Sequence, residues 1–459
     1  MRRSIYILPF LALTLLMGSC KIGKQYKQPE LNLPDQVPGN QSPMDTATVS
    51  DIKWWELYSD STLQSLIVEA LDNNKDLLIA GKQMEAFAAS KKMAFADLFP
   101  TIGIDIEGER EHDNYGGHKP TYDNTFDGKF TFAWEVDVWG KLRWANDKAK
   151  ANFLQSIEFQ RGVRMGIISE VAQKYFEISA AHQELSIVKR TIVARREGVR
   201  LARLRFQSGL TSETSLRQSE VELARTETLQ PALEKQIGVL ENELSLLLGK
   251  YPKEYAFGAF RAADVTTIEL PVGLPSQLLQ RRPDIRGAEQ SLKAANAAVG
   301  IAFTSMFPTL SLTGSGGVES GDLSSFLKSP YWLIGGGLVG PIFNMGKNRA
   351  NWKKSEIQYE QEVLSYQKTV LTAFKEVNNA LLAYNKNKEI VEKRRRLAAA
   401  AQSYLELANL QYINGIISYI DVLDAQRGML DAEIGLSNAL RDSNLALVNL
   451  YKSLGGGWN

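Results

Sequence analysis

The 459-residue chain has one cysteine, Cys20, and three histidines, His112, His118 and His182. A single cysteine excludes an intramolecular disulfide framework, and the histidines lack metal-ligand spacing. No nucleophile elbow or phosphate-binding loop is present. The triple glycine at 335–337 sits inside a strand pattern and the one at 455–457 follows a helix end, so neither is a binding fingerprint. These absences argue against an enzyme and imply no cofactor. Charge of either sign is not in excess: 53 basic residues against 52 acidic ones give a net charge of +1, so nothing points to nucleic acid. Proline is missing from the whole stretch 348–414. Length alone allows two or three domains.

The apolar run Ile5–Met17 is too short to span a bilayer as a helix. It follows Arg2 and Arg3 and precedes Gly18, Ser19 and Cys20, the layout of an export signal. The small residues before Cys20 predict cleavage after residue 19 and acylation of the Cys20 thiol. An ordinary secretory signal that happens to carry a cysteine is the alternative. Residues 22–50, rich in Pro, Gln and Asn without apolar periodicity, read as an extended or wrapping segment.

What the chain does contain, it contains twice. LFPTIGI at 98–104 returns as MFPTLSL at 306–312. Asp76, Leu77 and Ala80 match Asp284, Ile285 and Ala288 at the same separation. Past the first hairpin the separation slips by two and then holds. Gly140, Lys141 and Arg143 match Gly346, Lys347 and Arg349, and Phe206 and Gly209 match Tyr412 and Gly415. Leu248 and Gly249 match Leu454 and Gly455. The chain is a tandem duplication of a unit of about two hundred residues, too long for a solenoid repeat. The reading divides it into a signal (1–19), an acylated extended segment (20–55), a first repeat (56–250), a linker (251–275) and a second repeat (276–459).

Counting by sevens from Val363 meets Val370, Val377, Tyr384, Val391, Ala398, Leu405 and Tyr412, all apolar. The first repeat gives Ile157, Arg164, Val171, Ile178, Leu185, Ile192, Val199 and Phe206, broken only at Arg164. Such a period predicts long helices over 146–207 and 348–414 with coiled-coil-like seams, each roughly 90–100 Å long. Shorter helices are expected at 61–97 and 212–248, the second kinked at Pro231. Pro283 and Asp284 suit the start of another helix.

Between the helices lie strands. Phe126, Gly128, Phe130, Phe132, Trp134, Val136 and Val138 alternate with Asp127, Lys129, Thr131, Ala133, Glu135 and Asp137, and Ile102, Ile104 and Ile106 alternate with Gly103, Asp105 and Glu107. This is the pattern of a transmembrane strand facing lipid on one side and water on the other. An amphipathic strand of a soluble sheet alternates in the same way. Hairpins are expected near 100–138 and 309–343. Four strands cannot close a membrane barrel, for which eight is the usual minimum, and exposed edges cannot sit in lipid. The chain therefore has to assemble with copies of itself; three copies supply twelve strands.

WWELYSDSTLQSLIVEAL from Trp54, LLQRRPDIRGAEQ at 278–290, the two Phe-Pro-Thr strand starts and GIISYIDVLDAQ at 415–426 together resemble the TolC-like outer-membrane efflux proteins, in the NodT-type lipoprotein branch. The resemblance covers essentially the whole mature chain. It implies an α+β, TolC-like homotrimer. Its twelve-stranded barrel would sit in the lipid of the outer membrane, anchored through Cys20, and its helical barrel would cross the periplasm. It also implies a periplasmic adaptor and an inner-membrane pump of the resistance-nodulation-division type as partners, with small-molecule efflux as the function. A type I protein-secretion duct and a structural, non-transporting lipoprotein are the alternatives. A belt at the waist would draw on 251–275, the C-terminal tail and the charged run 385–396, which on sequence alone is a solvated helix face.

The family's tip turns match Phe206–Thr211 and Tyr412–Ile417. The resemblance places periplasmic tip and adaptor contacts at Phe206, Gly209, Leu210, Thr214, Ser215, Tyr412, Gly415 and Ile416. Gly209 and Gly415 suit reversals needing positive φ. The acidic pore rings map onto Asp421 and Asp424, three residues apart on one helical face. In a trimer such rings favour cations and raise some carboxylate pKa values. Locally, Ser418 with Asp421 also reads as a capping box. Where the family's namesake has closing polar links, this chain has Ser215, not an acid, and Ile417, not a base.

Overall fold

The computed structural model describes residues 21–31, 53–58, 60–114, 116, 119, 121–255 and 275–457. The element order is α1 (Trp54–Leu57), α2 (Ser61–Asn73), α3 (Lys75–Ala96), β1 (Thr101–Asp113), β2 (Thr121–Val136), α4 (Lys141–Gln207), α5 (Glu213–Glu227), α6 (Leu229–Leu247), α7 (Pro275–Arg281), α8 (Pro283–Thr304), β3 (Thr309–Ser320), β4 (Pro330–Val339), α9 (Lys347–Ile413) and α10 (Tyr419–Ser453). The chain divides into two compact units, and each draws on both halves of the sequence.

The first unit includes residues 21–31, Lys82–Ile157 and Gly287–Lys368. Its four strands form one antiparallel sheet in the order β1-β2-β3-β4. The register places Ile102, Ile104 and Ile106 opposite Phe132, Phe130 and Gly128. Gly128, Phe130, Phe132 and Trp134 in turn oppose Val318, Gly316, Gly314 and Leu312, and Leu312, Gly314 and Gly316 oppose Gly336, Ile334 and Trp332. One face of the sheet is thus continuously apolar. The other carries Asp105, Asp127, Lys129 and Tyr331. Lys129 pairs with Asp127, to which the Tyr331 hydroxyl also donates at 3.0 Å. The strands β1 and β4 are edges.

Each Phe-Pro-Thr entry is held by a tryptophan. Trp134 Nε1 donates to the Leu98 carbonyl (3.1 Å) and Trp139 Nε1 to the Pro308 carbonyl (2.7 Å). The Trp139 ring stacks on Phe307 at 5.1 Å. Residues 21–31 lie along the start of α4. Trp144 Nε1 donates to the Ile22 carbonyl at 2.8 Å, and the Lys21 ammonium sits 3.3 Å from the Trp144 ring centre while pairing with Asp147. A side chain at Gly300 would collide with Trp144, so that glycine gives the indole its place. Cys20 and the signal lie outside the described residues, as do all of 32–52 and most of the linker 251–275.

The second unit, which includes Glu158–Arg286 and Thr369–Asn459, is helical. Its core joins Leu63, Ile67 and Ala70 of α2, Val171 and Ile178 of α4, Leu244 of α6, Val377 of α9 and Val448 and Leu450 of α10. Val171, Ile178, Leu185, Ile192 and Val199 are all buried, as are Val370, Val377, Tyr384 and Val391, so the seven-residue period marks the inward seam. The expected single helix over 61–97 is instead two helices meeting at Asn74. The Asn74 side chain accepts from the amides of Asp76 and Leu77 and donates to the Leu247 carbonyl at 2.8 Å. It ends α2 and caps α3 at once, a local competition with the helix typical of asparagine. The kink expected at Pro231 becomes a break. Proline lacks an amide proton and crowds the carbonyl four residues back, and α5 ends at Glu227, with α6 starting at Leu229.

The arginine of the RRPD motif explains that motif physically. Arg282 is buried. It donates to the Ser453 carbonyl (2.8 Å), Asp284 (2.8 Å) and Glu376 (2.6 Å). It therefore ties the end of α10 to the start of α8 and to α9. Arg282→Met keeps the stem and removes the guanidinium. Its expected cost is about 3 kcal/mol, the lower end for breaking a buried ion pair, because Asp284 and Glu376 are half exposed. A lower thermal unfolding midpoint of the detergent-solubilised variant is the check.

Candidate functional site: the two helix reversals

The long helices end in the same way. After α4, Gly209 has φ 73°, its amide donates to the Phe206 carbonyl (2.9 Å), and the Leu210 amide donates to Arg205 (2.8 Å). After α9, Gly415 has φ 72°, with Gly415 bonded to Tyr412 (3.0 Å) and Ile416 to Gln411 (2.9 Å). Both are Schellman motifs, in which a residue with positive φ satisfies the last carbonyls of the helix, and glycine adopts that conformation without a Cβ penalty. Leu210 and Ile416, the residues just past each glycine, are 72% and 70% exposed, so each turn presents an apolar side chain to its surroundings. Phe206 and Thr214 are exposed, and Ser215 is half-buried.

The two reversals meet through aromatic contacts. Tyr412 lies between the Arg205 guanidinium, 4.8 Å from its ring centre, and the Tyr419 ring at 5.1 Å. Tyr419 reaches across to Gly198 of α4, where any side chain would collide with its hydroxyl. Burial raises the Tyr419 hydroxyl pKa above the ordinary tyrosine range. Beneath the turns, Ala408, Val422 and Ala425 are buried, with Leu405, Tyr412, Ile417 and Tyr419 packed around them.

The two acids differ in their bonding. Asp421 is the third residue of α10. Its carboxylate accepts from the Ser418 amide (2.9 Å) and the Ser418 hydroxyl (2.7 Å), closing a capping box. Those bonds, from the hydroxyl first and the amide second, hold the Asp421 carboxyl below the ordinary aspartate range. The local capping role read from the sequence is therefore present. The corresponding residue after α4 is Ser215, so the first reversal has no carboxylate at this position. Asp424, one turn on, pairs with Arg427 at 3.2 Å and stays largely exposed.

Sequence reasoning did not single out Arg195. It is 4% exposed and donates to the Glu222 carbonyl (2.6 Å), the Glu222 carboxylate (3.2 Å) and Thr226, holding α5 against α4 just above the reversals. Burial lowers its pKa, and Glu222 opposes that shift. A lone arginine among the charges of RREGVR carries no signal that marks it as the buried one. The run 385–396 forms ion pairs along its own helix, Lys386 with Glu389 at 2.9 Å among them, as a solvated face does. Among the described residues, no group of His, Cys, Asp and Glu could hold a metal ion, and no helix is long and apolar enough to cross a membrane.

The Outer membrane efflux protein family profile matches residues 66–250 and again 274–456. The solvent efflux pump outer membrane protein SrpC of Pseudomonas putida is 33% identical over 466 residues, covering 98% of each chain. The cation efflux system protein CusC of Escherichia coli strain K12 is 30% identical over 455 residues, covering 98% of this chain and 99% of that one. The outer-membrane channel OprN superposes with a TM-score of 0.89 at 27% identity over 96% of this chain and all of that one. The open state of the Neisseria gonorrhoeae MtrE outer membrane channel gives a TM-score of 0.89 at 27% identity, over 96% and 99%. The chain, with its TolC-like α+β fold, belongs to the outer membrane efflux protein family and is a non-catalytic outer-membrane channel component of tripartite efflux systems.

Proposed function

We propose that three copies of this chain form a passive exit duct for small molecules. The observation that carries the reading is the four-stranded sheet, apolar on one face where all four strands pair and open at both edges. Unpaired edges are untenable in hydrocarbon, so β4 of one copy pairs with β1 of the next until the barrel closes. Leu382, Ile390, Leu397, Tyr404 and Leu407 of α9 stand exposed at near-heptad spacing, which suits packing between copies. The two repeats, 56–250 and 276–459, each supply one hairpin and one long helix. The helices form the periplasmic barrel. Cys20, acylated, anchors the chain in the membrane one residue before the segment held by Trp144.

The reversals at Phe206, Gly209, Leu210, Thr214, Ser215, Tyr412, Gly415 and Ile416 form the periplasmic tip and meet the adaptor of a resistance-nodulation-division pump. Asp421 and Asp424 form the gate. Relatives whose names specify solvents, toluene, antibiotics and cations support small cargo. Fluorescent dye accumulation in cells lacking the gene, with and without a plasmid copy, is the test. Higher accumulation that the plasmid reverses is expected. An unchanged dye panel together with loss of a secreted protein would replace this reading with a protein-secretion duct.

A further inference from the structure

The first hairpin sorts its charges by face. All five acids of β1 (Asp105, Glu107, Glu109, Glu111 and Asp113) occupy odd positions, as do all three of β2 (Asp123, Asp127 and Glu135). The even positions, which form the apolar face, contain no acid. They run from Ile102, Ile104 and Ile106 through Gly108 to Arg110 and His112 on β1, and on β2 from Tyr122 and Asn124 through Phe126 to Trp134. The base Arg110 and the imidazole of His112 stand together at the end of the apolar band that is farther from the helices.

That end also lies beyond the ladder with the second hairpin. The β3 pairing stops at Ser320 opposite Phe126, whereas β1 and β2 continue to Asp113 opposite Thr121. On the projecting part, His112 faces Tyr122 with ring centres 4.6 Å apart, and the Arg110 guanidinium lies 5.3 Å from the same ring centre. Arg110 has no ion pair or hydrogen bond among the described residues, and all three side chains are exposed. An arginine laid on a tyrosine beside a histidine keeps its donor edge free. That edge matches a phosphate in two-point geometry.

We propose that Arg110 and His112, resting on Tyr122, bind the phosphate groups of the glycolipid that forms the outer leaflet. The inference rests on the orientation proposed above, in which the hairpin end away from the helices faces outward. The apolar band below takes the acyl chains, and the two nitrogen-bearing side chains meet the phosphates where the chains end. The same logic accounts for the missing acids, since a carboxylate at these positions would face an anionic surface. Meanwhile the opposite face of the same strands, turned to water, carries all eight.

The test uses the full-length protein in detergent, with retained lipid counted by native mass spectrometry. The probes are an acylated glucosamine disaccharide bearing its phosphates, the same lipid after dephosphorylation, and inorganic phosphate as competitor. Wild type is expected to retain the phosphorylated lipid about fivefold better, the scale of one basic residue at an anionic surface. R110Q/H112Q is expected to lose that preference and R110K to keep part of it. Equal retention of the two lipids, or an unchanged preference in R110Q/H112Q, overturns the proposal. Displacement of the lipid by inorganic phosphate also overturns it, in favour of a free-phosphate site. Planar-bilayer conductance of the same wild-type preparation separates the two levels. A preparation that conducts but does not discriminate refutes the lipid site alone, and one that does not conduct refutes the channel reading beneath it.

Discussion

Replacing Asp421 and Asp424 together by alanine is expected to raise single-channel conductance severalfold and to change cation permeability. The rise follows from bonding, since the tip loses the Asp424–Arg427 pair and the Asp421 capping acceptor, and the permeability change follows from charge. In the proposed trimer the two positions would make two rings of three carboxylates, an arrangement that concentrates cations. Asp424 also holds Arg427 at 3.2 Å, so its loss frees a base beside the ring. Asp421 carries a second duty: its carboxylate closes the capping box with Ser418. Alanine there also removes the acceptor of the capping box, so D421N/D424N is the companion variant that keeps an acceptor and removes the charge. The Asp421 carboxyl is depressed by its Ser418 bonds. The sign of the pH effect follows. The contribution of Asp421 to the stability of the helix start is complete above the unfolded-state pKa and is lost as pH falls through the lower folded value. Unchanged conductance and selectivity in both double variants would remove these residues from the gate.

Gly317→Val is expected to abolish assembly. A Cβ at Gly317 would lie 2.6 Å from Lys129 Cα and closer still to the Gly128 carbonyl, which are backbone atoms of β2 that cannot yield without parting the strands. Gly317 sits between Lys129 and Tyr331 in the register, beside the bond from the Tyr331 hydroxyl to Asp127. Substitution therefore breaks both the β2–β3 ladder and the polar contact over it. Gly314→Ala is the control, since its Cβ would meet its nearest neighbour at an ordinary 3.6 Å. Loss of the detergent-resistant oligomer on unheated gels, with dye accumulation rising to the level of the gene deletion, is the outcome anticipated for Gly317→Val alone. Wild-type oligomer in that variant would show that β2 and β3 are not paired this way in the assembled channel.

Features set by local chemistry were legible in the sequence. The Phe-Pro-Thr turns, the alternation of Phe130, Phe132 and Trp134 with Lys129 and Thr131, and the positive-φ glycines 209 and 415 each need only neighbouring residues to be recognised. The capping box at Ser418 and Asp421 is of the same kind. What escaped notice depends on atoms brought from far along the chain. The choice of Asn74 to end a helix is completed by the Leu247 carbonyl. The burial of Arg195 is made tolerable by Glu222 and Thr226, and Trp139 finds its acceptor at Pro308. A polar side chain in a helical pattern looks solvated until the partner that pays for its burial is in place.

The sheet carries a consequence for how the protein is made. Each hairpin closes between neighbouring strands, but β2 must find β3 across the long helix α4 and the helices that follow it. Contacts so distant in the chain form late, because loop closure comes before their reward. Newly exported chains therefore pass through a stage with two separate hairpins and, after those join, with β1 and β4 still open. Such edges are templates for indiscriminate strand addition. Transit to the outer membrane thus calls for an escort that shields strand edges, and the rate at which the proposed trimer forms would set how long that escort must stay.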